Sequence, residues 1–279
     1  MKNLFCNKCH LTYQIPELIA EEILGVDNLS LLNARYEQMQ KCYDYSYKQW
    51  QDEFTDELKP FDGYDDTTAI TMPIKHQMFK ADFEKLNKGS IGLDLPTWFN
   101  IQSIQARIML IAQDPLRGEC YQDCKDAVLS SPFGLHDSKH RQKKTGGYMV
   151  HTLVSRLVEA GYGVYLTDAR KYFVYDKKTS DKHANKRKNE YVEILKKEIE
   201  IVKPQLCVCF GNRAGSMMYD VTTENPELLI TSITLPHLSG TARRSIIRRF
   251  EIFQKMRATN ENIAEQYAKH ILSNMEYLK

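Results

Sequence analysis

Residues 107–115 read Arg-Ile-Met-Leu-Ile-Ala-Gln-Asp-Pro, an apolar run that ends abruptly in an amide and a carboxylate. A short apolar run bounded by a turn signal is typical of a buried strand. A second run, residues 228–235, is followed by Pro236 and His237. Open α/β sheets place their active sites beyond the C-terminal ends of the strands. We therefore predict that Asp114 and His237 lie at one edge of a common sheet, where a carboxylate and an imidazole could cleave a bond.

From about residue 100 onward, strand-like and helix-like segments alternate along the chain. This alternation indicates a mainly parallel sheet with helices on both faces. The predicted strands are Arg107–Ala112, 164–167, Leu206–Phe210 and 228–235, and the predicted helices are 147–160, 186–202 and one that starts at Asn212. The predicted fold class is α/β, a three-layer α/β/α arrangement with a mainly parallel four-stranded central sheet.

The first hundred residues have a different pattern. Apolar and aromatic residues recur every three or four positions in 16–24 and 29–54, which favours amphipathic helices. Residues 89–96 contain the break that we take as the domain boundary. We therefore predict a helical N-terminal region over 1–100 and an α/β domain over 101–279.

The net charge is only +2, but it is unevenly distributed. Residues 1–100 hold 10 Lys and Arg against 16 Asp and Glu, whereas residues 101–279 hold 28 against 20. The basic residues cluster in 139–144, 177–188 and Arg243–Arg249. Such clusters suit a polyanion, because neutralised phosphates release counterions. Solvated loops and helix faces are an equally good explanation. The basic clusters therefore leave a polyanionic partner as one of two readings.

The composition, 42% hydrophobic and 27% charged, is that of an ordinary globular protein. The longest apolar runs fall far short of the roughly 20 residues that span a bilayer. Residues 1–10 become polar too early to form the apolar core of a secretory signal. We therefore expect a cytoplasmic protein with no membrane partner.

Seven cysteines, an odd number, argue against a disulfide framework. Cys6 and Cys9 form one close pair along the chain, and Cys120 and Cys124 form another. Two such pairs could complete a four-thiolate site for structural zinc or an iron–sulfur cluster. The combined spacing does not match a zinc ribbon, so unliganded thiols are the alternative.

Several short segments, in their order along the chain, resemble the uracil-DNA glycosylase superfamily. Residues 112–115, Ala-Gln-Asp-Pro, are similar to its first motif, and residues 235–239, Leu-Pro-His-Leu-Ser, are similar to its second. Residues 131–134, Ser-Pro-Phe-Gly, resemble the segment whose aromatic ring stacks on the extruded base. Residues 164–169 resemble the strand whose end reads that base. The resemblance covers about residues 105–250.

This resemblance implies a DNA glycosylase, which extrudes a nucleotide from the duplex before it cleaves the bond between base and sugar. Asp114 would stabilise the cationic sugar and position a water, and His237 would donate a hydrogen bond to the departing base. Gln113 and Phe133 would contact the base, with Phe133 stacked on it. No cofactor is implied for catalysis. Taken singly, Asp114 could instead cap a turn, His237 could be structural and Phe133 could belong to the core.

The resemblance also implies contacts to DNA beyond the base. Leu238 would fill the vacated base stack as a wedge, next to Ser239. Arg243, Arg244 and Arg248 would bind phosphates, although a solvated helix face is the alternative. Because no lysine lies at any of the four predicted strand ends, a lyase step through a Schiff base is not predicted.

Asp168 departs from the family pattern, which has an asparagine at this strand end. An amide both donates and accepts hydrogen bonds, whereas an ionised carboxylate only accepts. An acceptor suits an exocyclic amine, so a modified cytosine-like base becomes a candidate substrate beside uracil. Alternatively, Asp168 only caps the following turn and a neighbouring residue reads the base.

Three functions are therefore open from the sequence. The leading hypothesis is a monofunctional DNA glycosylase that acts on a damaged or modified base. The second is a catalytically weak nucleic-acid-binding module on the same fold. The third is an α/β hydrolase of a small nucleoside-like substrate. The basic clusters favour the first two, and an excision assay separates these from each other.

Overall fold

The computed structural model describes residues 4–44, 71–73, 91–103, 105–116, 126–138, 140–141, 146–174, 182 and 185–278. Several predictions fall outside these residues: the candidate ligands Cys120 and Cys124, residues 45–54 of the second predicted helix, and most of the basic clusters 139–144 and 177–188.

Nine strands and seven α-helices are present in the described part of the chain. The strands are β1 (Thr71–Met72), β2 (Ile91–Asp94), β3 (Thr97–Phe99), β4 (Arg107–Ala112), β5 (Ala127–Ser130), β6 (Gly163–Asp168), β7 (Tyr172–Val174), β8 (Leu206–Phe210) and β9 (Thr231–Leu235). The helices are α1 (Leu11–Ile19), α2 (Leu29–Asp44), α3 (Gly146–Glu159), α4 (Lys188–Val202), α5 (Asn212–Glu224), α6 (Arg243–Arg249) and α7 (Asn260–Tyr277).

The central sheet has five strands in the order β3-β6-β4-β8-β9. The four predicted strands, β6, β4, β8 and β9, are parallel, and β3 joins the β6 edge in the antiparallel direction. The inner strands β4 and β8 are buried along their whole length, as expected of strands covered on both faces. β9 starts later than predicted, because Pro226–Leu228 forms a 3-10 turn instead of strand.

Helices cover the sheet in two groups. α3 packs against α7 and β6, whereas α5 packs against α4, β8 and β9, and α1 packs on α4. α3 buries Met149, Leu153 and Leu157, which recur every four residues along one face. This arrangement confirms the three-layer α/β/α fold. None of the helices in the described ranges is long and apolar enough to cross a membrane.

A second sheet was not predicted. It has the order β1-β5-β2-β7, and β2 lies within the predicted break at residues 89–96. Asp94 at the end of β2 pairs in register with Ser130 at the end of β5. The division of the chain into two domains near residue 100 stays a prediction. The residues before it supply β3 to the central sheet, and Phe5 forms a β-bridge with Phe99.

Candidate active site

The carboxyl ends of the four parallel strands meet at one edge of the central sheet. Ala112 pairs in register with Asp168, and Phe210 pairs with Leu235. The backbone N–H of Ala169 donates to the carbonyl of Ala112 at 2.9 Å, so the loops that follow β4 and β6 start side by side. Asp114, Asp168 and His237 thus lie at strand ends where the sequence predicts them.

Asp114 is held by donors from two neighbouring loops. Gln113 Nε2 donates to Asp114 Oδ2 at 2.7 Å, and Arg170 Nη1 lies 3.8 Å from the same oxygen. Both contacts orient the carboxyl group, and only 13% of the Asp114 side chain is exposed. The amide of Gln113, which was predicted to contact the base, therefore bonds to Asp114 in this structure.

His237 lies half-buried after Pro236, above Gly211. A Cβ atom on Gly211 would make only an ordinary contact with the His237 Cβ, at 3.6 Å, and it is the φ of 88° that favours glycine at this position. Burial lowers the pKa of His237, and the charge of Asp114 acts in the opposite direction. The lowered pKa favours a neutral imidazole at neutral pH.

Phe133 lies beside the imidazole in a backbone conformation that is rare for its residue type. Its φ of 58° is in the left-handed region, which costs free energy in a residue other than glycine. Its ring centroid is 5.6 Å from that of His237 and 6.2 Å from that of Phe210. The turn Pro132–Gly134 thus holds an aromatic ring, half-buried, beside the candidate catalytic histidine.

Asp168 is almost completely buried, with 3% of the residue exposed. Burial, the carboxyl groups of Asp94 and Asp114, and a hydrogen bond with Asp94 raise the pKa of Asp168 well above its ordinary value, against the opposing charge of Lys171. Lys171 Nζ donates to the backbone carbonyl of Asp168 at 2.7 Å. The side chain of Asp168 therefore shares its buried site with a second carboxyl group.

The family model of the uracil DNA glycosylase superfamily matches residues 99–259, more than half of the chain. The chain belongs to this superfamily. The matched segment contains all four parallel strands together with Asp114, Phe133, Asp168 and His237. No curated protein matches the chain. The superfamily consists generally of DNA glycosylases, so a function of this type, with DNA as the partner, is supported.

Three residues of this superfamily member's site were not predicted: Asp94, Arg170 and Lys171. Arg170 and Lys171 lie just past the end of β6, and this position was the signal available in the sequence. Lys171 is 2% exposed and donates to Glu198 Oε2 at 2.6 Å and to Thr167 Oγ1 at 3.0 Å. Asp94 ends a short strand that pairs only with distant segments, so local periodicity does not reveal it.

The predicted wedge does not fit this conformation. Leu238 is fully buried, at 0% exposure, and belongs to the hydrophobic core. A wedge has to protrude from the surface to enter a base stack, so this role would require Leu238 to leave the core, and it stays a prediction. The neighbouring Ser239 is half-buried, and its Oγ lies 3.0 Å from Thr241 Oγ1.

The three predicted phosphate-binding arginines differ in their surroundings. Arg243 bonds to the carbonyl of Ala258 and, at 2.6 Å, to Asn260 Oδ1, so it ties α6 to the start of α7. Arg244 and Arg248 are exposed on α6, which follows the His237 loop. Their availability supports the predicted role in phosphate binding, whereas the guanidinium of Arg243 is already engaged within the protein.

Two of the four candidate metal ligands are described. Cys6 and Cys9 are half-buried, and burial raises the pKa of both thiols. Two thiols do not complete the four-ligand set of structural zinc or an iron–sulfur cluster. Within the described ranges, no group of three or more His, Cys, Asp and Glu side chains could hold a metal ion. The cluster stays a prediction that depends on Cys120 and Cys124.

Proposed function

We propose that this protein is a monofunctional DNA glycosylase that hydrolyses the N-glycosidic bond of an extruded base, either uracil or a modified cytosine-like base. One observation carries this proposal: Asp114 and His237 follow two parallel strands of one sheet, β4 and β9, and so lie at the same edge of that sheet. Phe133 lies against the same imidazole. A carboxylate, a neutral donor and a stacking ring are the parts that such a reaction needs.

The reaction develops charge of opposite sign on the two fragments. The sugar becomes cationic as the bond breaks, and the departing base becomes anionic. Asp114 would stabilise the cation and orient the attacking water. Its hydrogen bond from Gln113 fixes the carboxylate before the substrate arrives, and such preorganisation is the main source of electrostatic catalysis.

His237 would act on the departing base as a neutral hydrogen-bond donor. Burial lowers its pKa, so the imidazole does not carry a proton to transfer at neutral pH. An N–H donor that is already oriented stabilises the negative charge of the base without a proton transfer. Phe133 would stack on the base while it is held outside the duplex.

A lyase step is not part of this proposal. Lys171, which lies just past the end of β6, is buried and ion-paired with Glu198 at 2.6 Å. Its amino group therefore cannot reach a sugar carbon as a nucleophile. Reaction in the presence of borohydride should leave no covalent complex between protein and DNA.

An excision assay tests the proposed function. Duplex and single-stranded oligonucleotides with one uracil, hypoxanthine or 5-hydroxymethylcytosine are incubated with excess protein, and alkali then cleaves any abasic site. The wild type should release at least one of these bases, and Asp114→Ala and His237→Ala should each lose most of that activity. Asp27→Asn, which removes a carboxylate at an exposed position, is the matched control. Equal activity in all four proteins would exclude the proposed roles.

The DNA contacts can be tested separately through the dependence of binding on salt. Arg244→Ala and Arg248→Ala should each weaken binding evenly across sequences and reduce the slope of log affinity against log salt by about 1. Arg243→Ala should instead lower thermal stability, because its partners are on α7. Unchanged slopes in the two exposed variants would assign phosphate binding to another surface.

A further inference from the structure

The loop that carries His237 is held by a tyrosine of the last helix. Residues 236–242 connect β9 to α6, and His237 is the second residue of this connection. Tyr267, in α7, donates from its hydroxyl to the backbone carbonyl of Pro236 at 2.8 Å. α7 begins directly after residue 259, where the match to the superfamily ends. The support of this loop therefore comes from a part of the chain that the match does not cover.

The bond to Pro236 bears on the orientation of the imidazole. The carbonyl of Pro236 and the N–H of His237 belong to one planar peptide group. A hydrogen bond at the carbonyl oxygen therefore fixes the plane from which the backbone of His237 continues. Proline adds to this restriction, because its ring fixes its own φ. The side chain of His237 thus starts from a backbone that Tyr267 holds in place.

Tyr267 is itself immobilised by the core. It is 0% exposed, and its ring centroid lies 5.2 Å from that of Phe250 and 6.2 Å from that of Phe210. Phe210 in turn contacts Phe133, the candidate stacking residue. Burial raises the pKa of Tyr267, so its hydroxyl stays protonated and remains a donor. A buried hydroxyl needs an acceptor, and the Pro236 carbonyl supplies it.

The other end of the loop is attached to the same part of the chain. Arg243, the first residue of α6, bonds to the carbonyl of Ala258 and, at 2.6 Å, to Asn260 Oδ1. Asn260 is the first residue of α7. Between the two ends, Leu238 is buried in the core. The loop is therefore fixed on both sides of His237, and little freedom is left for the imidazole to turn away from the site.

We propose that Tyr267 is a positioning residue, which holds the imidazole of His237 in the orientation that the departing base requires. The effect on the reaction rests on the proposed function, whereas the orientation itself can be measured without a substrate. A donor stabilises charge in the transition state only when it is already directed at the atom where the charge develops. Tyr267 acts through the Pro236 peptide and His237, without contact to the substrate.

The first test removes only the hydroxyl group. Tyr267→Phe keeps the ring packed on Phe250 and Phe210, so the variant should fold. Single-turnover excision of the base that the wild type releases fastest should slow by about 10- to 100-fold, because a small misplacement of a catalytic group has an effect of this size. The affinity for the oligonucleotide should change by less than about twofold, since the contacts to DNA remain.

Tyr36→Phe is the matched control. Tyr36 is buried, and its hydroxyl donates to the backbone carbonyl of Pro96 at 3.0 Å, so the control loses the same kind of hydrogen bond in the N-terminal region. Both variants should lose a similar amount of thermal stability, and only Tyr267→Phe should excise more slowly. Equal excision rates in the two variants, or a loss of affinity as large as the loss of rate in Tyr267→Phe, would overturn the positioning role.

A double variant shows whether the effect passes through the histidine. In a His237→Ala background, the group that Tyr267 positions is absent. Tyr267→Phe should therefore cause no further loss of rate in this background, although it slows the otherwise unchanged protein. A further loss by the same factor would show that Tyr267 acts by another route, and it would overturn the proposal.

The second measurement needs no activity. The ring signals of His237 in NMR spectra, identified by their loss in His237→Ala, should shift in Tyr267→Phe and stay in place in Tyr36→Phe. Unshifted signals in Tyr267→Phe would overturn the positioning role and leave the glycosylase function intact. If the wild type excises no base at all, the proposed function fails, and the His237 signals alone then decide whether Tyr267 positions the imidazole.

Discussion

Two carboxyl groups at the same sheet edge have opposite surroundings. Asp114, on the outer side, receives a hydrogen bond from Gln113 and lies near the guanidinium of Arg170. Asp168, on the inner side, is buried against the carboxyl group of Asp94. The first environment stabilises a charge and the second opposes one. Neighbouring groups, and not the residue type, thus distinguish the two aspartates, and we propose different roles for them on this basis, one at the reacting sugar and one at the base.

The two environments are built from different parts of the fold. The partners of Asp114 come from the loops after β4 and β6, which are adjacent in the central sheet. The partner of Asp168 comes from the second sheet, at the end of β2. An outer site can therefore form from the central sheet alone, whereas the inner site also requires the second sheet to be in place.

The largest expected effect concerns the ion pair beneath the inner carboxyl group. Lys171→Met leaves Glu198 buried and unpaired, and removal of one partner from such a pair costs about 3–5 kcal/mol in the free energy of unfolding. Urea unfolding at neutral pH measures this loss in the free energy of unfolding. The double variant Lys171→Met/Glu198→Gln should recover most of the loss, because glutamine still accepts from Tyr165 and Thr167. Equal losses in both variants would show that the pair does not act as a unit.

A smaller effect is expected from Phe133, which contacts His237 on the outer side. Phe133→Ala should weaken the binding of an oligonucleotide with an extruded base by roughly 1–3 kcal/mol, the usual value of one stacked base. Tyr277→Ala removes an exposed aromatic ring at the far end of α7 and serves as the control. Equal binding by Phe133→Ala and the wild type would mean that this ring does not stack on the base.

The smallest expected effect is on the pKa of His237. The carboxylate of Asp114 raises this pKa against the effect of burial. Asp114→Asn should therefore lower the pKa of His237 further, while Asp168→Asn should leave it almost unchanged. Titration of the imidazole by NMR measures both values. Equal shifts in the two variants would remove the electrostatic distinction between the outer and inner carboxyl groups.

The outer site could be predicted from the sequence because its residues follow strands directly. Parallel strands bring their carboxyl ends to one edge, so the strand ends before Asp114 and His237 were sufficient to place both. The same rule placed Asp168 at the end of its strand, but it did not reveal what surrounds that side chain. The bounds of β4 and β8 were also predicted correctly, since a continuous apolar run is typical of a strand that is buried on both faces.

The inner site could not be predicted, because it depends on pairing between distant segments. β2 has only four residues, and its partner β5 lies more than thirty positions further along the chain. The surroundings of Leu238 and Arg243 could not be predicted either, for the same reason. Leu238 is covered by the core, and Arg243 binds residues 15 and 17 positions away, so neither fact is present in the local sequence.

The most direct test of the account compares one substitution at two positions. Asp114→Asn and Asp168→Asn each replace a carboxyl group by an amide of nearly the same shape, and single-turnover excision of uracil is measured for both at an alkaline pH. We predict that Asp114→Asn lowers the rate by about 10²–10³-fold, the usual cost of losing one preorganised electrostatic contact. Asp168→Asn should be faster than the wild type under the same conditions, because its amide cannot lose a proton and gain a charge that repels the departing base. An equal loss in both variants would contradict the distinction between the two carboxyl groups.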